Sequence, residues 1–486
     1  MSEVQVSNWI NGQATGPAGG ERLDNLAPAT GKLLSRIPRS GPADVEAAVK
    51  AAQRCHRDVW SQTTAGERAD FLDRVADRIE AGLDELAALE SRDTGKPIRL
   101  AKAVDIPRAA ANFRFFAGAI RHDATECHDM GSGQGGALNY TLRKSCGVAG
   151  LITPWNLPLY LLSWKVAPAI AMGNTVVAKP SEMTPMTADA LGAIFAELDA
   201  PAGLLNIVHG LGAEVGQALV EHPKVPLISF TGGTATGKRV AATAAPMFKK
   251  LSLELGGKNP TVVFADADFD AAVEGAARAG FLNQGQVCLC GSRILVERSI
   301  HEPFVEALTA RVEAMVVGDP SDPETELGAL ISAAHREKVE GYIALAREEG
   351  GTIQTGGGRP ELGGDSAGGF FVQPTVVTGL EHGCRTSTEE IFGPVVTVHA
   401  FDGEDDALRL ANGVRYGLCA SVWTQNLGRA HRFSAALDTG MVWVNTWLLR
   451  DLRVPFGGMK DSGVGREGGR HSLEFFSESR NICIKL

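Results

Sequence analysis

One segment of the chain joins an apolar run to a helical pattern through glycines: Leu227-Ile228-Ser229-Phe230-Thr231-Gly232-Gly233-Thr234-Ala235-Thr236-Gly237-Lys238-Arg239. The short apolar run is typical of a buried strand, and the residues after the glycines favour a helix. A glycine-rich turn between a strand and a helix lets backbone N–H groups and the helix dipole hold a phosphate group. The segment therefore predicts a parallel α/β fold with a phosphate-bearing ligand at this turn.

The same alternation of short strand-like runs and helical stretches extends from about residue 140 to 450. Helices separate most of the runs, which predicts βαβ units and parallel sheets covered by helices. The strand-like runs are Gly147–Thr153, Thr175–Lys179, Leu205–His209, Leu227–Thr231, Pro260–Ala265 and Ile294–Arg298.

Two further runs, Leu138–Lys144 and Asn481–Leu486, lie outside this alternation and predict a small appended sheet. The alternative is an edge hairpin. The stretch Gly131–Gly136, just before the first of these runs, predicts a flexible link.

The first third of the chain is rich in helix signals. Thr64–Glu67 fits a capping box, and the apolar stripe from Phe71 to Leu83 predicts one helix behind it. Asp93–Pro97 contains the glycine and proline that end such a helix.

Composition limits the classes of function. The chain has 486 residues, of which 44% are hydrophobic and 21% charged, so it is long enough for two or three soluble domains. The net charge of −10 argues against nucleic acid and anionic membrane surfaces as partners. Met1–Val4 shows no signal segment, and no apolar run is long enough to span a membrane. The eight scattered cysteines form no CxxC pair, which predicts a reducing cytoplasm and no metal site.

Two nucleotide-binding patterns are incomplete. Gly232-x-x-x-x-Gly237-Lys238 nearly fits a P-loop, but Arg239 stands where Mg²⁺ binding requires Ser or Thr. The glycines of Gly210–Gly216 are one residue too widely spaced for a dinucleotide fingerprint, and a plain turn is favoured there.

Three residues have side chains suited to covalent catalysis. Cys288 ends Asn283-Gln284-Gly285-Gln286-Val287-Cys288, where little bulk surrounds a thiol; the alternative is a buried, inert cysteine. Glu254 precedes two glycines and suits a general base; the alternative is a charged side chain in an exposed turn. Asn156, in Pro154–Pro158, follows a strand and could donate to an oxyanion, or else belong to a proline-framed turn.

Lys179 and Glu182 follow a predicted strand in the order Lys179-Pro180-Ser181-Glu182. Their side chains could bind ribose hydroxyls, and Glu182 would repel a 2′-phosphate, which favours NAD over NADP. The alternative is a solvated turn.

Taken in order, the motifs resemble the aldehyde dehydrogenase superfamily over essentially the whole chain. The segments that carry this resemblance are Pro154–Pro158, Lys179–Glu182, Phe230–Gly237, Glu254–Lys258, Asn283–Cys288, Glu390-Ile391-Phe392-Gly393-Pro394 and Pro455-Phe456-Gly457-Gly458. The resemblance implies a Rossmann-type NAD-binding domain (residues 1–124 and 146–254), an α/β catalytic domain (255–469) and an oligomerisation sheet (125–145 and 470–486). It also implies a homodimer or homotetramer. One departure is Gly233, where many relatives carry Ser.

The resemblance also implies roles for individual residues. Cys288 attacks the aldehyde, the Asn156 amide and the Cys288 backbone N–H stabilise the oxyanion, and Glu254 activates water that hydrolyses the thioester. The residues implied to bind NAD are Trp155, Lys179, Glu182, Gly232, Gly237, Glu390 and Phe392. Cys290 is interpreted as a packed neighbour, or as a thiol that could protect Cys288 by reversible oxidation. A catalytically silent relative would lack the nucleophile or the base, and both are present.

The segment Trp443–Arg453 resembles the branch of the family that acts on 2-hydroxy- and 2-aminomuconate 6-semialdehydes, with aliphatic and betaine-type aldehydes as alternatives. This resemblance implies a carboxylate-bearing substrate from the meta-cleavage of aromatic rings. A carboxylate requires a local cation, so Arg450 and Arg108 are assigned to the substrate site together with Trp164. For both arginines, the alternative is a structural ion pair.

Overall fold

The structure, a computed structural model, describes residues 4–131 and 135–485. The predictions for Met1–Val4 and for Gly131–Gly136 fall partly on residues 1–3 and 132–134, which lie outside the described residues, as does Leu486 at the end of the last predicted strand.

The first large sheet is built mainly from the N-terminal half of the chain. Its five central strands are parallel, as the βαβ alternation predicts. Every residue of Thr175–Lys179 is buried, as expected for a parallel strand covered on both faces. From one edge to the other, the strands are Gly463–Val464, Lys250–Glu254, Leu227–Thr231, Val148–Ile152, Thr175–Lys179, Leu205–Ile207, Asn8–Ile10 and Gln13–Thr15.

The second large sheet comes from the C-terminal half. Its strands are parallel except for the first, which is an antiparallel edge strand. The order is Thr352–Thr355, Thr375–Thr378, Val395–Phe401, Arg293–Glu297, Pro260–Val263, Cys419–Trp423 and Met441–Val444.

A small sheet forms from the two runs outside the alternation, so the prediction of an appended sheet is confirmed. Ser477–Lys485 pairs antiparallel with Ala137–Ser145, which also pairs with Cys127–Asp129. Two further small sheets consist of the strands Val4–Gln5, Leu33–Pro38 and Arg22–Leu26, and of the strands Tyr416–Gly417 and Met459–Lys460. The division of the chain into three domains with the stated boundaries stays a prediction.

Helices cover both large sheets. The α-helices of the described residues are Pro42–Asp58, Ala65–Ala81, Leu83–Thr94, Ile98–Leu100, Ile106–Arg121, Pro158–Ala171, Met186–Glu197, Gln217–Glu221, Thr234–Ala244, Phe269–Phe281, His301–Glu313, Ala333–Glu348, Arg385–Thr388, Gly403–Asn412, Leu427–Ala436 and Gly469–Phe475. Within the described ranges, no helix is long and apolar enough to cross a membrane.

The predicted helix behind Thr64 is divided in two. The capping box is present, since Thr64 Oγ1 accepts from the Glu67 N–H and Glu67 accepts from the Thr64 N–H. The helix ends at Ala81, however, because Gly82 stops it and begins a second helix that runs to Thr94. Gly95, with φ 77°, ends the second helix in the left-handed conformation that favours glycine.

Candidate active site

A cavity of about 690 Å³ lies between the two large sheets. On one side it meets the carboxyl ends of parallel strands, at Ile152, Lys179, Thr231 and Glu254. Ligands bind open α/β sheets at this end of the strands, because the helix N-termini and loops converge there. The other side is lined by Cys288, His335, Lys338, Glu390 and Phe392.

The loop before Cys288 is held in an uncommon backbone conformation. Asn283 and Gln284 have φ of 53° and 56°, in the left-handed region that L-residues seldom adopt. Gly285 follows with φ 69°, and a Cβ at this position would lie 2.1 Å from the Gly393 carbonyl oxygen. The Gln284 amide fixes the loop by donating to the Ala329 carbonyl at 2.9 Å. Glycine is thus required here, and the turn delivers Cys288 to the cavity wall.

The Cys288 thiol is half-buried and lines the cavity. Burial raises its pKa well above the usual range, and the carboxylates of Glu390 and Glu254 act in the same direction. The positive charge of Arg450 lowers that pKa. The thiol is therefore protonated in this arrangement, and a base must remove its proton before it can act as a nucleophile.

Asn156 lies next to the Cys288 loop. Its Nδ2 donates to the Gln286 carbonyl at 2.8 Å, and Asn283 Nδ2 donates to the Asn156 carbonyl at 3.2 Å. One of its two amide N–H groups has no acceptor among the described residues. The predicted oxyanion donor is thus held against the predicted nucleophile by the same loop.

Glu254 is the last residue of strand Lys250–Glu254, and it is buried rather than exposed in a turn. Neither carboxylate oxygen has a hydrogen-bond partner in the described structure. Burial raises its pKa well above the usual range, and the nearby Glu467 carboxylate adds to the effect. Lys165 and Arg466 oppose the shift. A buried, unpaired carboxylate of raised pKa has the properties of a general base.

The predicted ribose-binding pair lies at one end of the cavity. Lys179 Nζ contacts Glu182 Oε2 at 2.6 Å, and both side chains line the cavity. Burial lowers the pKa of the Lys179 ammonium, while Glu182 opposes that shift. The Lys179–Glu182 ion pair therefore lies at the cavity wall, where a bound ligand can contact it.

Glu390 lies on the same side of the cavity as Cys288. Its Oε1 accepts from the Gly257 N–H at 3.0 Å, and a Cβ at Gly256 would lie 2.1 Å from its Oε2. Phe392 packs edge-on against Trp155 with ring centroids 5.3 Å apart. The two rings and the Glu390 carboxylate form one wall of the cavity.

The two predicted glycines of the phosphate turn differ in position. Gly232 lines the cavity, whereas Gly237 is not among the lining residues, and the prediction that both lie along the cofactor turn stays a prediction. A Cβ at Gly237 would lie 2.4 Å from Leu255 Cδ2, which shows that this glycine lets helix Thr234–Ala244 pack closely on its neighbour. Lys238 bonds Asp461 at the surface, whereas Arg239 lines the cavity. This is not the side-chain arrangement of a P-loop.

The three residues assigned to the substrate do not line this cavity, but the structure brings them together. Arg108 lies over the Trp164 ring at 5.5 Å, and Arg450 lies over the same ring at 5.3 Å. Neither guanidinium has a salt-bridge partner within the described residues, and Nη2 of each is buried without a hydrogen bond. The Trp164 indole N–H is also unpartnered. Burial lowers the pKa of the Arg108 guanidinium to about 10, and the charge of Arg450 acts in the same direction.

Sequence reasoning missed several residues that line the cavity. His335 and Lys338, on helix Ala333–Glu348, reach the wall beside Phe392 and Glu390; His335 Nε2 lies 2.7 Å from the Phe392 carbonyl oxygen. A helical pattern alone gives no signal for such a contact. Leu211–Ala213 also line the cavity, although the sequence favoured a plain turn in this region.

The chain is similar to known proteins over almost its whole length. The Aldehyde dehydrogenase family model matches residues 15–482. The 2-hydroxymuconic semialdehyde dehydrogenase of Pseudomonas sp. (strain CF600) is 50% identical over 99% of this chain and 100% of its own length. The 2-aminomuconic semialdehyde dehydrogenase of Danio rerio is 48% identical over 100% of this chain and 99% of its length. The crystal structure of a Staphylococcus aureus betaine aldehyde dehydrogenase with NAD+ has a TM-score of 0.96 at 39% identity, covering 99% of this chain and 95% of that one.

The chain therefore belongs to the aldehyde dehydrogenase family. This membership confirms the predicted α/β fold class and the predicted class of enzyme, an oxidoreductase that acts on aldehydes.

Proposed function

We propose that this enzyme oxidises 2-hydroxymuconate 6-semialdehyde to the dicarboxylate, with NAD as the oxidant, in the catabolism of aromatic compounds. The observation that carries the proposal is that Arg108 and Arg450 are half-buried without a salt-bridge partner among the described residues, and that Nη2 of each is buried without a hydrogen bond. An unpaired buried charge is costly, so proteins keep one where a ligand of opposite charge completes it. A carboxylate would complete this pair.

The cavity residues fit NAD. The Thr153 hydroxyl, just after strand Val148–Ile152, lines the cavity and is buried without a hydrogen-bond partner in the described ranges. Helix Thr234–Ala244 begins at Gly233 without a side-chain cap, so its first N–H groups are available to a phosphate. Lys179 and Glu182 would hold the adenosine ribose, and Glu390 with Phe392 would hold the nicotinamide end. The carboxylate of Glu182 favours the unphosphorylated ribose of NAD.

Cys288 begins the reaction in this proposal. Its sulfur bonds to the aldehyde carbon as the thiol proton passes to a base, and the carbonyl π electrons move to the oxygen, which gives the oxyanion of a thiohemiacetal. The second amide N–H of Asn156 and the Cys288 backbone N–H donate to the oxygen of that adduct; such donors typically contribute about 3–4 kcal/mol to a transition state. Bound NAD supplies a hydride acceptor, and the loss of hydride converts the adduct to a thioester.

Glu254 completes the turnover. Its carboxylate takes a proton from water, the hydroxide adds to the thioester carbon, and the C–S bond breaks to return the Cys288 sulfur. The net reaction consumes aldehyde, NAD+ and water and releases the acid, NADH and a proton. The raised pKa of Glu254 supports this role, because an ordinary carboxylate would be too weak a base.

The same arginines argue against a cationic substrate. Arg450 also lies over the Phe456 ring at 4.0 Å, so the guanidinium occupies the aromatic face that a quaternary ammonium would use. A betaine-type aldehyde would meet two positive charges instead. An anionic aldehyde is the better match.

The substitution Arg450→Ala tests the proposal. We expect the KM for the semialdehyde to rise at least tenfold, because one guanidinium–carboxylate contact is lost, while the KM for NAD stays unchanged. Arg450→Lys keeps the charge without the planar fork and should give an intermediate KM. An unchanged KM for the semialdehyde in Arg450→Ala would mean that this residue does not bind the carboxylate.

A second candidate substrate is 2-aminomuconate 6-semialdehyde, which is favoured by the 48% identity to the Danio rerio enzyme. Both substrates carry the carboxylate that the arginines would bind. The ratio of kcat/KM for the two semialdehydes, measured as NADH formation under the same conditions, decides between them.

We propose further that the enzyme is a cytoplasmic homodimer or homotetramer. Strand Ser477–Lys485 forms one edge of the small sheet. The apolar side chains of Ile484, on this strand, and of Leu142, on the neighbouring strand, are exposed. Such an edge can pair with a second copy. The cysteines are all free thiols, which suits a reducing compartment. Light scattering tests the assembly: Ile484→Asp should lower the measured mass if this edge is the contact, and an unchanged mass would exclude it.

A further inference from the structure

We infer that Tyr160 is a positioning residue that holds both substrate-binding arginines in place; this inference rests on the proposed function. Tyr160 is buried in the first turn of helix Pro158–Ala171, where no expectation from the sequence assigned it a role. It lies between the two guanidiniums, and it contacts each by a different part of the residue.

The phenol oxygen holds Arg450. Arg450 Nη1 donates to Tyr160 Oη at 3.0 Å, and no acidic side chain among the described residues pairs with this guanidinium. The guanidinium is also stacked between rings, over Trp164 and over Phe456. The phenol therefore provides the one directional contact that fixes the rotation of Arg450 within this aromatic slot.

The ring and the backbone of Tyr160 hold Arg108. The Arg108 guanidinium lies over the Tyr160 ring at 5.0 Å. Its Nε donates to Asn112 Oδ1 at 3.0 Å, and Asn112 Nδ2 donates in turn to the Tyr160 carbonyl at 3.1 Å. Ser163 Oγ, which also accepts from Asn112, donates to the same carbonyl at 2.8 Å. Asn112 is thus locked in the orientation that presents its oxygen to Arg108.

These contacts leave the same atom free on each arginine. Nη2 of Arg108 and Nη2 of Arg450 are both buried and have no hydrogen-bond partner among the residues that the structure describes, while the contacts described above hold Nε of Arg108 and Nη1 of Arg450. Two like charges in this space repel each other, and the repulsion contributes to the lowered pKa of Arg108. Without the Tyr160 hydroxyl, the Arg450 guanidinium would turn away from Arg108. Tyr160 therefore keeps two donors ready for one carboxylate before the substrate arrives.

The test is the substitution Tyr160→Phe, which keeps the ring under Arg108 and removes only the hydroxyl. We expect the KM for the semialdehyde to rise about tenfold, the loss typical of a hydrogen bond to a charged group. The kcat, the KM for NAD and the kcat/KM for hexanal, an aldehyde without a carboxylate, should not change. A merely structural role would lower the activity towards both aldehydes. Tyr140→Phe, in the small sheet, is the matched control and should leave all of these values unchanged.

A double-substitution cycle separates positioning from direct binding. Because Tyr160 acts through Arg450, adding Tyr160→Phe to Arg450→Ala should raise the KM for the semialdehyde by less than twofold. A further tenfold rise in that background would mean that the hydroxyl contacts the substrate itself, and it would overturn the inference. So would an unchanged KM in Tyr160→Phe alone.

The same experiment distinguishes this inference from the proposed function. If Arg450→Ala leaves the KM for the semialdehyde unchanged, the carboxylate-binding role fails and the inference about Tyr160 fails with it. If Arg450→Ala raises that KM and Tyr160→Phe does not, only the positioning role is wrong.

Discussion

At the scale of single residues, the candidate site depends on ionisable groups whose charged forms are disfavoured by burial. Within the described part of the chain, neither oxygen of Glu254 has a hydrogen-bond partner, and the carboxylates of Glu390 and Glu254 act on the Cys288 thiol. Each group is therefore held closer to neutrality than it would be in water. The raised pKa makes the Glu254 carboxylate a stronger base and lowers the stability of the folded chain. This combination is common at catalytic positions.

The substitution Glu254→Gln should separate the contribution of Glu254 to catalysis from its cost in stability. We expect kcat to fall by about 10²–10⁴, the range for loss of a general base. Because the folded-state pKa of Glu254 is raised above 4.5, wild-type stability is reduced as the pH rises past that value, and the neutral glutamine escapes this loss. The variant should therefore melt on the order of 1–2 °C above the wild type at pH 8.

Melting temperatures at low pH are the internal control for that substitution. Below pH 4.5 the carboxyl is protonated in the folded and the unfolded chain, so the advantage of the variant should vanish. A variant that melts lower than the wild type at pH 8 would show that Glu254 is stabilised by a partner rather than strained.

At the scale of elements, the loop Asn283–Gln286 determines where the nucleophile lies. Gly285→Ala would place a Cβ against the Gly393 carbonyl oxygen at 2.1 Å, at a residue with φ 69°. The loop must shift, and a displacement of about 1 Å near the reacting atoms can lower the rate about a hundredfold. We expect that loss in kcat, with a melting temperature lower by roughly 2–4 °C.

Gly341→Ala is the matched control for the loop glycine. Gly341 lies inside helix Ala333–Glu348, and among the described residues no atom other than those of its chain neighbours and the helix's own backbone lies within 4 Å of an added Cβ. This change should leave kcat unchanged and slightly raise the melting temperature, because alanine favours a helix. Equal behaviour of the two variants would show that the loop has no special backbone requirement.

Several elements could be predicted from the sequence because their signals are local. Thr175–Lys179 and Leu227–Thr231 match the predicted bounds, since continuous apolar runs and flanking turns mark them. Strand Lys250–Glu254 was missed, because charged residues stand at both of its ends. The apolar stripe predicts a helix after Thr64 that continues past Ala81, where the helix ends, since a single glycine inside an apolar stripe is a weak stop signal.

At the scale of the whole molecule, the candidate site exists only where the two large sheets meet. The ordered motifs predict catalytic roles for Cys288, Glu254 and Asn156, and all three residues line the cavity. No local pattern could place Tyr160 between Arg108 and Arg450, since Tyr160 and Arg450 are 290 positions apart in the chain. The close approach of Gly237 to Leu255 has the same origin, since Leu255 comes from another strand-to-turn segment.

Cofactor choice is a property of the whole cavity and can be tested at Glu182. In Glu182→Gln the negative charge at the proposed ribose site is removed while the side chain keeps its size. We expect kcat/KM for NADP to rise about tenfold, because the repulsion of a 2′-phosphate is lost. NADH and NADPH formation at saturating aldehyde measure this, with the exposed Glu361→Gln as the control. An unchanged preference for NAD over NADP would mean that residues other than Glu182 determine the choice of cofactor.

The most direct test of the account compares an aldehyde with a carboxylate and one without. NADH formation gives kcat/KM for 2-hydroxymuconate 6-semialdehyde and for hexanal with the same enzyme preparation. Because the proposed function assigns a carboxylate to both Arg108 and Arg450, we predict a ratio of at least about 100 in favour of the semialdehyde, the product of about tenfold for each arginine contact. Equal values of kcat/KM for the two aldehydes would contradict the account.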